Sequence, residues 1–460
     1  MVSWNLNEIV EVVGGRLLNP PAEEVQVSGI YHDTRKIEEG SLFVPLIADR
    51  DGHDFIESAI AKGAATAFWS RDSKEAPRDI PLIQVADTEK ALQDFAVWYL
   101  NKVGPKVVAI TGSNGKTTSK DMTAAVLAMK YHTHQTSGNF NNELGVPLTI
   151  LSMPANTEVL VLEMGMSEPG EIKFLSDLVQ PDLAAITMIG ESHIQAFGSE
   201  EKLAEEKISI ISGLKAGGLL VYPEEQALIT QLLPEDLERK MFGSKYSPQV
   251  ELYSSDIIEG IEETYFTVQD GQGEELAVKI PVPGSYNVQN ALLAMTIGRI
   301  FGVSLQKAKI GLSQMKLTKN RLEWLEGKNG IRILNDAYNA SPTSIKAVLQ
   351  YFSQVKSAGE KILVLGDVLE LGSLSKELHE SLASSISLAD YKAVYLYGND
   401  MKYLYKKLQK QANEEGLYHF DGDKEALLEA IKERAEAGDL VLFKSSNGTG
   451  LLSIVEQLKK

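Results

Sequence analysis

The stretch Thr111-Gly-Ser-Asn-Gly-Lys-Thr-Thr118 limits what this chain can fold into more than any other. It stands between a short apolar run, Val107-Val-Ala-Ile110, and a segment of helical periodicity. A phosphate-binding loop needs glycines, so that successive backbone N–H groups can turn onto phosphate oxygens. It also needs a lysine for the β- and γ-phosphates and a hydroxyl for Mg2+. Gly112, Gly115, Lys116 and Thr117 meet these needs, and the following helix adds its positive N-terminal end. Thr111, Ser113, Asn114 and Thr118 complete the expected nucleotide cradle. The common spacing G-x-x-x-x-G-K-S/T would need glycine at position 110, where the chain has Ile110. The loop is therefore a variant, T-G-x-x-G-K-T. The competing reading is a glycine-rich strand–helix turn that happens to contain a lysine. A strand before, a helix after and two threonines behind the lysine weigh against it. The chain is expected to use ATP.

Other short apolar runs recur, at 159–163, 183–187, 219–222, 331–336, 362–367, 393–397 and 440–444. Between helical stretches, such runs read as buried parallel strands of α/β units. Ligands in these sheets sit beyond the carboxyl ends of strands, which is where Glu163, Asp336, Asp367 and Lys444 fall. Met122, Ala125, Val126 and Met129 recur at helical spacing and define one helix face. Thr264–Val268 and Leu276–Ile280 flank Asp270-Gly271 and predict an antiparallel hairpin. A chain of 460 residues suggests about three domains. Boundaries are expected near 103, before the first strong strand, and near 316, before a fresh set of α/β units.

Charge and composition exclude several classes. The formal net charge of −18 argues against a general nucleic-acid or anionic-membrane binder. The absence of cysteine removes disulfides and thiolate metal sites. Residues 1–25 have no apolar core of the signal-peptide kind, and no run of about 18 apolar residues occurs. The expected location is the cytoplasm.

Mg2+ takes oxygen ligands and keeps waters, so one or two protein groups suffice. Thr117 is the first candidate and Glu163, ending a strand, the second; the alternative for Glu163 is a solvated strand-end acid. His193 is the third, although a lone histidine is more often structural.

The variant loop, together with several motifs on either side of it, resembles the Mur ligases, ATP-dependent amide-forming enzymes of peptidoglycan synthesis. Asp33-Thr34-Arg35, Gly40–Pro45 and Asp51–Phe55 resemble that family's uridine-nucleotide domain. Gly138-Asn139-Phe140-Asn141-Asn142 resembles the segment that holds the muramoyl-peptide substrate. Glu163–Met166 with Gly170–Ile172, and Ser192-His193 with Phe197–Ser199, are similar to its metal-binding stretches. Asn335–Pro342 and Leu365–Gly372 with His379 are similar to segments of the member that adds D-alanyl-D-alanine to a UDP-N-acetylmuramoyl tripeptide.

The resemblance implies an α/β protein of three domains. These are a smaller N-terminal α/β domain for the UDP substrate (1–102), a central P-loop domain with a parallel sheet for ATP (103–315), and a Rossmann-like C-terminal acceptor domain (316–460). It implies ATP and two Mg2+ as cofactors, the tripeptide and D-alanyl-D-alanine as substrates, no nucleic-acid or membrane partner, and a monomer. Lys116, Lys207 and His193 become the expected catalytic residues, and His193 and Glu163 expected Mg2+ ligands. Lys207 falls where these ligases carry a lysine carbamylated by CO2; the plain alternative is a helix lysine beside Glu205 and Glu206. Asn287 and Asn290 resemble the adenine-side helix start, with a helix N-cap as the compatible alternative for Asn287. Arg321 resembles the arginine that reaches the nucleotide phosphates from between two domains, and Asp336 completes the expected cofactor set. Asp33, Thr34, Arg35, Asn139, Asn141 and Asn142 are the expected substrate contacts.

Three positions depart from the family pattern. Glu168 stands where a histidine is usual, Ser341-Pro-Thr343 replaces Asn-Pro-Asp, and Lys444-Ser-Ser-Asn447 replaces Lys-Gly-Ser-Arg. Loss of an arginine at 447 removes a rigid fork for carboxylate or phosphate, which bears on the acceptor contacts. Rival readings are another Mur-type ligase, a folylpolyglutamate synthase-like enzyme, a P-loop NTPase switch, and an inactive scaffold.

Overall fold

The computed structural model describes residues 2–316, 318–410 and 416–460. Its largest sheet has nine strands, in the order Glu275–Ile280, Thr264–Gln269, Val250–Glu259, Arg239–Gly243, Leu219–Pro223, Leu183–Ile186, Lys106–Thr111, Val159–Glu163, Thr133–Gln135. From Val250–Glu259 onward the pairings are parallel; the first two are antiparallel. The apolar runs become central strands because both their faces are covered. Val107, Ala109, Leu160, Leu162, Ala184 and Ile186 enter one core, while Val108, Ile110, Val159, Val161, Leu183 and Ala185 enter the other. Each valine, leucine or isoleucine among them contributes roughly 1.5–3 kcal/mol relative to exposure.

The strand Lys106–Thr111 lies between Val159–Glu163 and Leu183–Ile186, so the chain changes direction of winding around it. That is the switch point at which such sheets hold ligands. Glu163 is in register with Ile110, and Ile186 with Thr111, so these carboxyl ends open on the glycine loop together.

The helix behind the loop runs Lys116–Leu127, and it is not the one-faced helix its periodicity predicts. Met122 and Val126 are fully buried as expected, but so are Ser119, Lys120 and Thr123. The helix is covered by Tyr286–Ile300 and Leu305–Gln314 as well as by the sheet. The hairpin at 264–280 forms, but its turn spans 270–274: Asp270 caps the N–H groups of Gln272 and Glu274, and Gly273 (φ 91°) makes the reversal.

A second sheet of six strands follows, in the order Glu323–Glu326, Arg332–Asp336, Leu440–Lys444, Lys361–Gly366, Ala393–Tyr397, Leu417–Phe420, parallel except for the first pair. It has the same two-faced burial, with Leu363, Leu365, Leu440 and Leu442 on one side and Ile362, Val364, Val441 and Phe443 on the other. The N-terminal part carries a five-stranded sheet and a two-stranded ribbon. Its helix Thr88–Val103 stops at left-handed Gly104 (φ 65°). Leu92 and Phe95 on that helix share one core with Trp4 and Phe68 on one side and Val146 and Ile150 on the other. Among the described residues no helix is long and apolar enough to cross a membrane.

Candidate active site

The loop is shaped by close packing against its neighbours. A Cβ on Gly112 (φ 147°) would fall 1.9 Å from Thr187 Oγ1, and one on Gly115 (φ 81°) 2.5 Å from Asn290 Oδ1. Thr111 donates its hydroxyl to the Met164 carbonyl at 2.9 Å, and Ser113 exchanges hydrogen bonds with Gly190 at 2.9 Å each. Lys116 Nζ donates to the Gly112 carbonyl at 2.7 Å. Burial lowers the Lys116 pKa, with Glu163 opposing the shift and Arg321 adding to it.

Glu163 is 2% exposed. One carboxylate oxygen accepts from Asn141 Nδ2 at 2.9 Å, while the other is buried with no hydrogen-bond partner among the described residues. Its backbone N–H donates to the Thr136 hydroxyl at 3.0 Å. A buried, open carboxylate oxygen is costly unless something cationic completes it. This oxygen suits Mg2+, a hard ion that takes carboxylates and keeps waters. His193 has a left-handed backbone (φ 66°), and its Nδ1 lies against the Glu370 carboxylate. Burial lowers its pKa, Lys116 and Lys207 add to the effect, and Glu370 opposes it.

Lys207 is 1% exposed, and its Nζ contacts the Met166 thioether at 3.8 Å. Burial drives its pKa well below that of an ordinary lysine, and the charge of Lys116 drives it further, against Glu206. Lys207 does lie on a helix beside Glu205 and Glu206, as the plain alternative has it, but it is buried there rather than at an acidic surface. Glu206 instead caps the N–H groups of Gly170 and Ile172.

A cleft of about 900 Å3 joins the loop to the C-terminal sheet. Ser113 through Thr118 line it, as do Asn287, Asn290, Arg321, Asp336 and Lys444. Every expected cofactor residue except Thr111 and Gly112 thus lines one cavity. Asn287 is not a helix N-cap: it sits inside the helix Tyr286–Ile300, with Nδ2 on the Pro283 carbonyl and Oδ1 accepting from Asn290. A further cleft of about 740 Å3 opens beyond Asn114, Gly115 and Asn290, against Met188, Gln226 and Gln289. Arg321 reaches Thr117 Oγ1 at 3.4 Å, stacks on Tyr338 at 4.5 Å and keeps a buried Nε with no partner among the described residues. Lys444 pairs with Asp336 at 2.6 Å; burial lowers its pKa, Asp336 opposes the shift and Arg321 reinforces it.

The expected substrate residues divide. Asp33 lines a cleft of about 820 Å3 between the N-terminal sheet and Ser137, Phe140 and Ser152. The Arg35 guanidinium, itself largely exposed, folds back on Asp33 and holds that carboxyl well below its ordinary range. Thr34 and Arg35 are not part of that wall; the Thr34 carbonyl accepts from Lys62. Asn139 is exposed beside it. Asn141 holds Glu163, and Asn142 accepts the Gly145 N–H at the next helix.

Thr136, Tyr286, Tyr338 and Glu370 line or support the site without having been singled out from the sequence. Tyr338 and Glu370 lie within quoted stretches and Tyr286 directly precedes Asn287, whereas nothing local marks Thr136. Ser70, His53 and Asp51 do stand in a row, with Asp51 on Nδ1 at 2.6 Å. His53 Nε2 accepts the Ser70 backbone N–H at 3.1 Å and has the Ser70 hydroxyl at 3.3 Å, so its one lone pair is shared with a backbone donor rather than kept for the hydroxyl.

The chain matches three family models: "Mur ligase family, catalytic domain" over residues 26–98, "Mur ligase middle domain" over 110–298, and "Mur ligase, glutamate ligase domain" over 320–447. It is 43% identical to the UDP-N-acetylmuramoyl-tripeptide–D-alanyl-D-alanine ligase of Bacillus subtilis (strain 168), over 100% of this chain and 99% of that protein. Identity to the ligase of the same name from Escherichia coli (strain K12) is 31%, again over 100% and 99%. Among solved structures, MurF from Acinetobacter baumannii superposes with a TM-score of 0.84 at 27% identity, covering 100% of this chain and 99% of that one. MurF ligase from Thermotoga maritima, in complex with ADP, gives 0.78 at 27% identity, covering 94% and 96%.

Proposed function

The chain belongs to the Mur ligase family, and on that premise we propose that it joins D-alanyl-D-alanine to the terminal carboxylate of a UDP-N-acetylmuramoyl tripeptide, converting ATP to ADP and phosphate. One observation carries the reading beyond family membership: the loop, Arg321 and the Asp336–Lys444 pair share one cleft. A reaction of three substrates needs such a meeting point between segments. In this reading residues 1–102 bind the uridine nucleotide, 103–315 the ATP and 316–460 the acceptor dipeptide. Asp33, Thr34, Arg35, Asn139, Asn141 and Asn142 serve the muramoyl substrate, with Asn141 acting through Glu163.

The tripeptide carboxylate attacks the γ-phosphorus of ATP, forming an acyl phosphate and releasing ADP. The amine of D-alanyl-D-alanine then adds to the acyl carbon, and the tetrahedral intermediate expels phosphate. The first step brings anion to anion, so the protein must neutralise charge and fix the line of approach. Lys116 leaves the Gly112 carbonyl for the β/γ-phosphates, and Arg321 turns its free Nε toward them. Loop N–H groups from Asn114 to Thr118 hold the phosphate oxygens, the Ser113 N–H being donated to the Met188 carbonyl at 2.8 Å, while Asn287 and Asn290 face adenine. Asp336 keeps Lys444 paired at the C-terminal wall.

Thr117 and the open oxygen of Glu163 would hold Mg2+, which supplies positive charge to the phosphates when bound. His193 and Lys207 complete that side. A lysine whose burial favours the neutral amine is a good nucleophile toward CO2. The resulting carbamate would give Lys207 an anionic oxygen beside Lys116 and support a second Mg2+. The substrates are water-soluble nucleotide derivatives and a dipeptide, which supports work in the cytoplasm without a nucleic-acid or membrane partner. Phosphate release from ATP is the test, measured with UDP-N-acetylmuramoyl tripeptide with and without D-alanyl-D-alanine. Release should require both; release independent of the dipeptide rejects the proposal.

A further inference from the structure

Lys120 and Asp121 are the buried charges nearest the loop that the reaction does not use. Their side chains are 1% and 3% exposed and lie 2.8 Å apart. Such a pair is poor evidence for stability, because desolvation offsets its attraction. Its outward contacts are more informative. Lys120 Nζ donates to the Thr136 carbonyl at 2.8 Å, and Thr136 in turn accepts the backbone N–H of Glu163. Asp121 Oδ2 accepts both the backbone N–H and the hydroxyl of Thr318, at 2.8 and 2.9 Å. Thr318 belongs to the connection between the nine-stranded and six-stranded sheets, just ahead of Arg321.

That connection is strained where it carries the arginine. Asn320 (φ 63°) and Leu322 (φ 48°), the residues on either side of Arg321, are both left-handed. Leucine gains nothing locally from that conformation, so its surroundings must impose it. The downstream side is held by Leu322 N–H on Asp336 and by Asn335 on Asn320. The upstream side is held at Thr318 by Asp121. Between these anchors Arg321 is aimed at Thr117, with its Nε unsatisfied.

We propose that Asp121 is a positioning residue of the ligase reaction: backed by Lys120, it fastens the connection at Thr318 to the loop helix, so that Arg321 meets the phosphates at a fixed distance from Lys116. The Lys120–Thr136 contact ties the Glu163 strand to the same helix, so both sides of the phosphate site share one anchor. This rests on the reading of Arg321 as a phosphate-binding group.

Asp121→Ala would leave Lys120 unpaired in the interior and unfold the protein, so the decisive variant is Thr318→Val. It removes one donor to Asp121 without exposing a charge. In the full-length enzyme kcat should fall about tenfold, from misplacement rather than loss of a contacting group, with an unchanged Tm. Thr318→Ser, which keeps the hydroxyl, should restore turnover. In an Arg321→Ala background Thr318→Val should have little further effect, since its target is gone. Wild-type kcat in Thr318→Val, or the same fold loss in both backgrounds, overturns the proposal. Wild-type turnover in Arg321→Ala alone overturns the phosphate reading itself, and the positioning role with it.

Discussion

Lys116 and Lys207 are two amines in one low-dielectric site, and their environments set them different tasks. Lys116 has a replaceable partner, the Gly112 carbonyl, and a carboxylate nearby in Glu163. It can turn to a phosphate without leaving a buried charge unpaired. Lys116→Ala should therefore abolish phosphate release, by roughly 10²-fold or more, while the Tm stays near wild type. Wild-type-like turnover in that variant would remove the loop from the mechanism. Lys207 has only a thioether against its Nζ, and its depressed pKa means that the folded state disfavours its charge. Replacing it by methionine, apolar and of similar length, should raise the Tm by about 2–4 °C in bicarbonate-free buffer. Turnover should be lost in the same variant. A fall in Tm would mean that the amine stabilises the fold, and the functional reading of its burial would fail.

Elements fix these residues through backbone geometry, and the glycines test that separately from side-chain chemistry. Gly115 (φ 81°) and Gly170 (φ 92°) both start helices in the left-handed region, but only Gly115 has a neighbour where a Cβ would stand. Gly170→Ala should cost about 1–2 kcal/mol of backbone strain and leave turnover largely intact. Gly115→Ala should add a collision with Asn290 and lose turnover; equal activity in the two variants would refute the packing argument. At the opposite end of the sheet, burial of Asp182 is outweighed by hydrogen bonds from Lys106, Val107 N–H and Lys215, which lower its pKa. A carboxyl lowered on folding stabilises above its unfolded pKa, and that contribution is lost as pH falls through the folded value. Asp182→Asn should thus lower the Tm at pH 7, with the difference from wild type narrowing below about pH 4. A pH-independent difference would point to lost packing instead.

How much of this was legible in the sequence depends on range. The strands were legible because Val107–Ile110 and its like are apolar on both faces, a local pattern. The loop was legible because glycine and lysine spacing is local too. Asn287 as a possible cap was not decidable, since the helix begins one residue earlier, at Tyr286, whose ring lies against left-handed Gly284, a contact that no sequence signal marks. The burial of Ser119, Lys120 and Thr123 on the Lys116–Leu127 helix depends on Tyr286–Ile300 and Leu305–Gln314, far along the chain, and no periodicity reports it.

At the scale of the whole molecule, the C-terminal sheet meets the central one through few, mostly polar contacts. Ser341 donates to Asn114 at 3.0 Å, Thr343 to Glu191 at 2.7 Å, and Gln195 N–H to the Glu370 carbonyl at 3.1 Å. Thr343 is one of the departures from the family pattern, and here it serves the domain contact. On the far side, Trp324 and Tyr351 both donate to the Ile261 carbonyl at the tip of the strand pair 250–269, and Arg332 pairs with Glu262. Contacts of this kind hold two domains loosely, and relative motion is the default expectation. The large apolar cores stop short of this boundary: among the described residues, Ile194 is the central-sheet member of the C-terminal core. Closure would then draw on ligands bound in the cleft that Lys116 and Lys444 line from its two sides. Trp324→Ala should release the hairpin contact and increase the radius of gyration of the ligand-free protein in small-angle scattering. A non-hydrolysable ATP analogue with Mg2+ should bring it back toward the wild-type value, because Arg321 and the loop still engage the same phosphates. An unchanged radius in the variant would show that the hairpin tip does not hold the domains, and a radius that ignores the nucleotide would show that the cleft does not close on it.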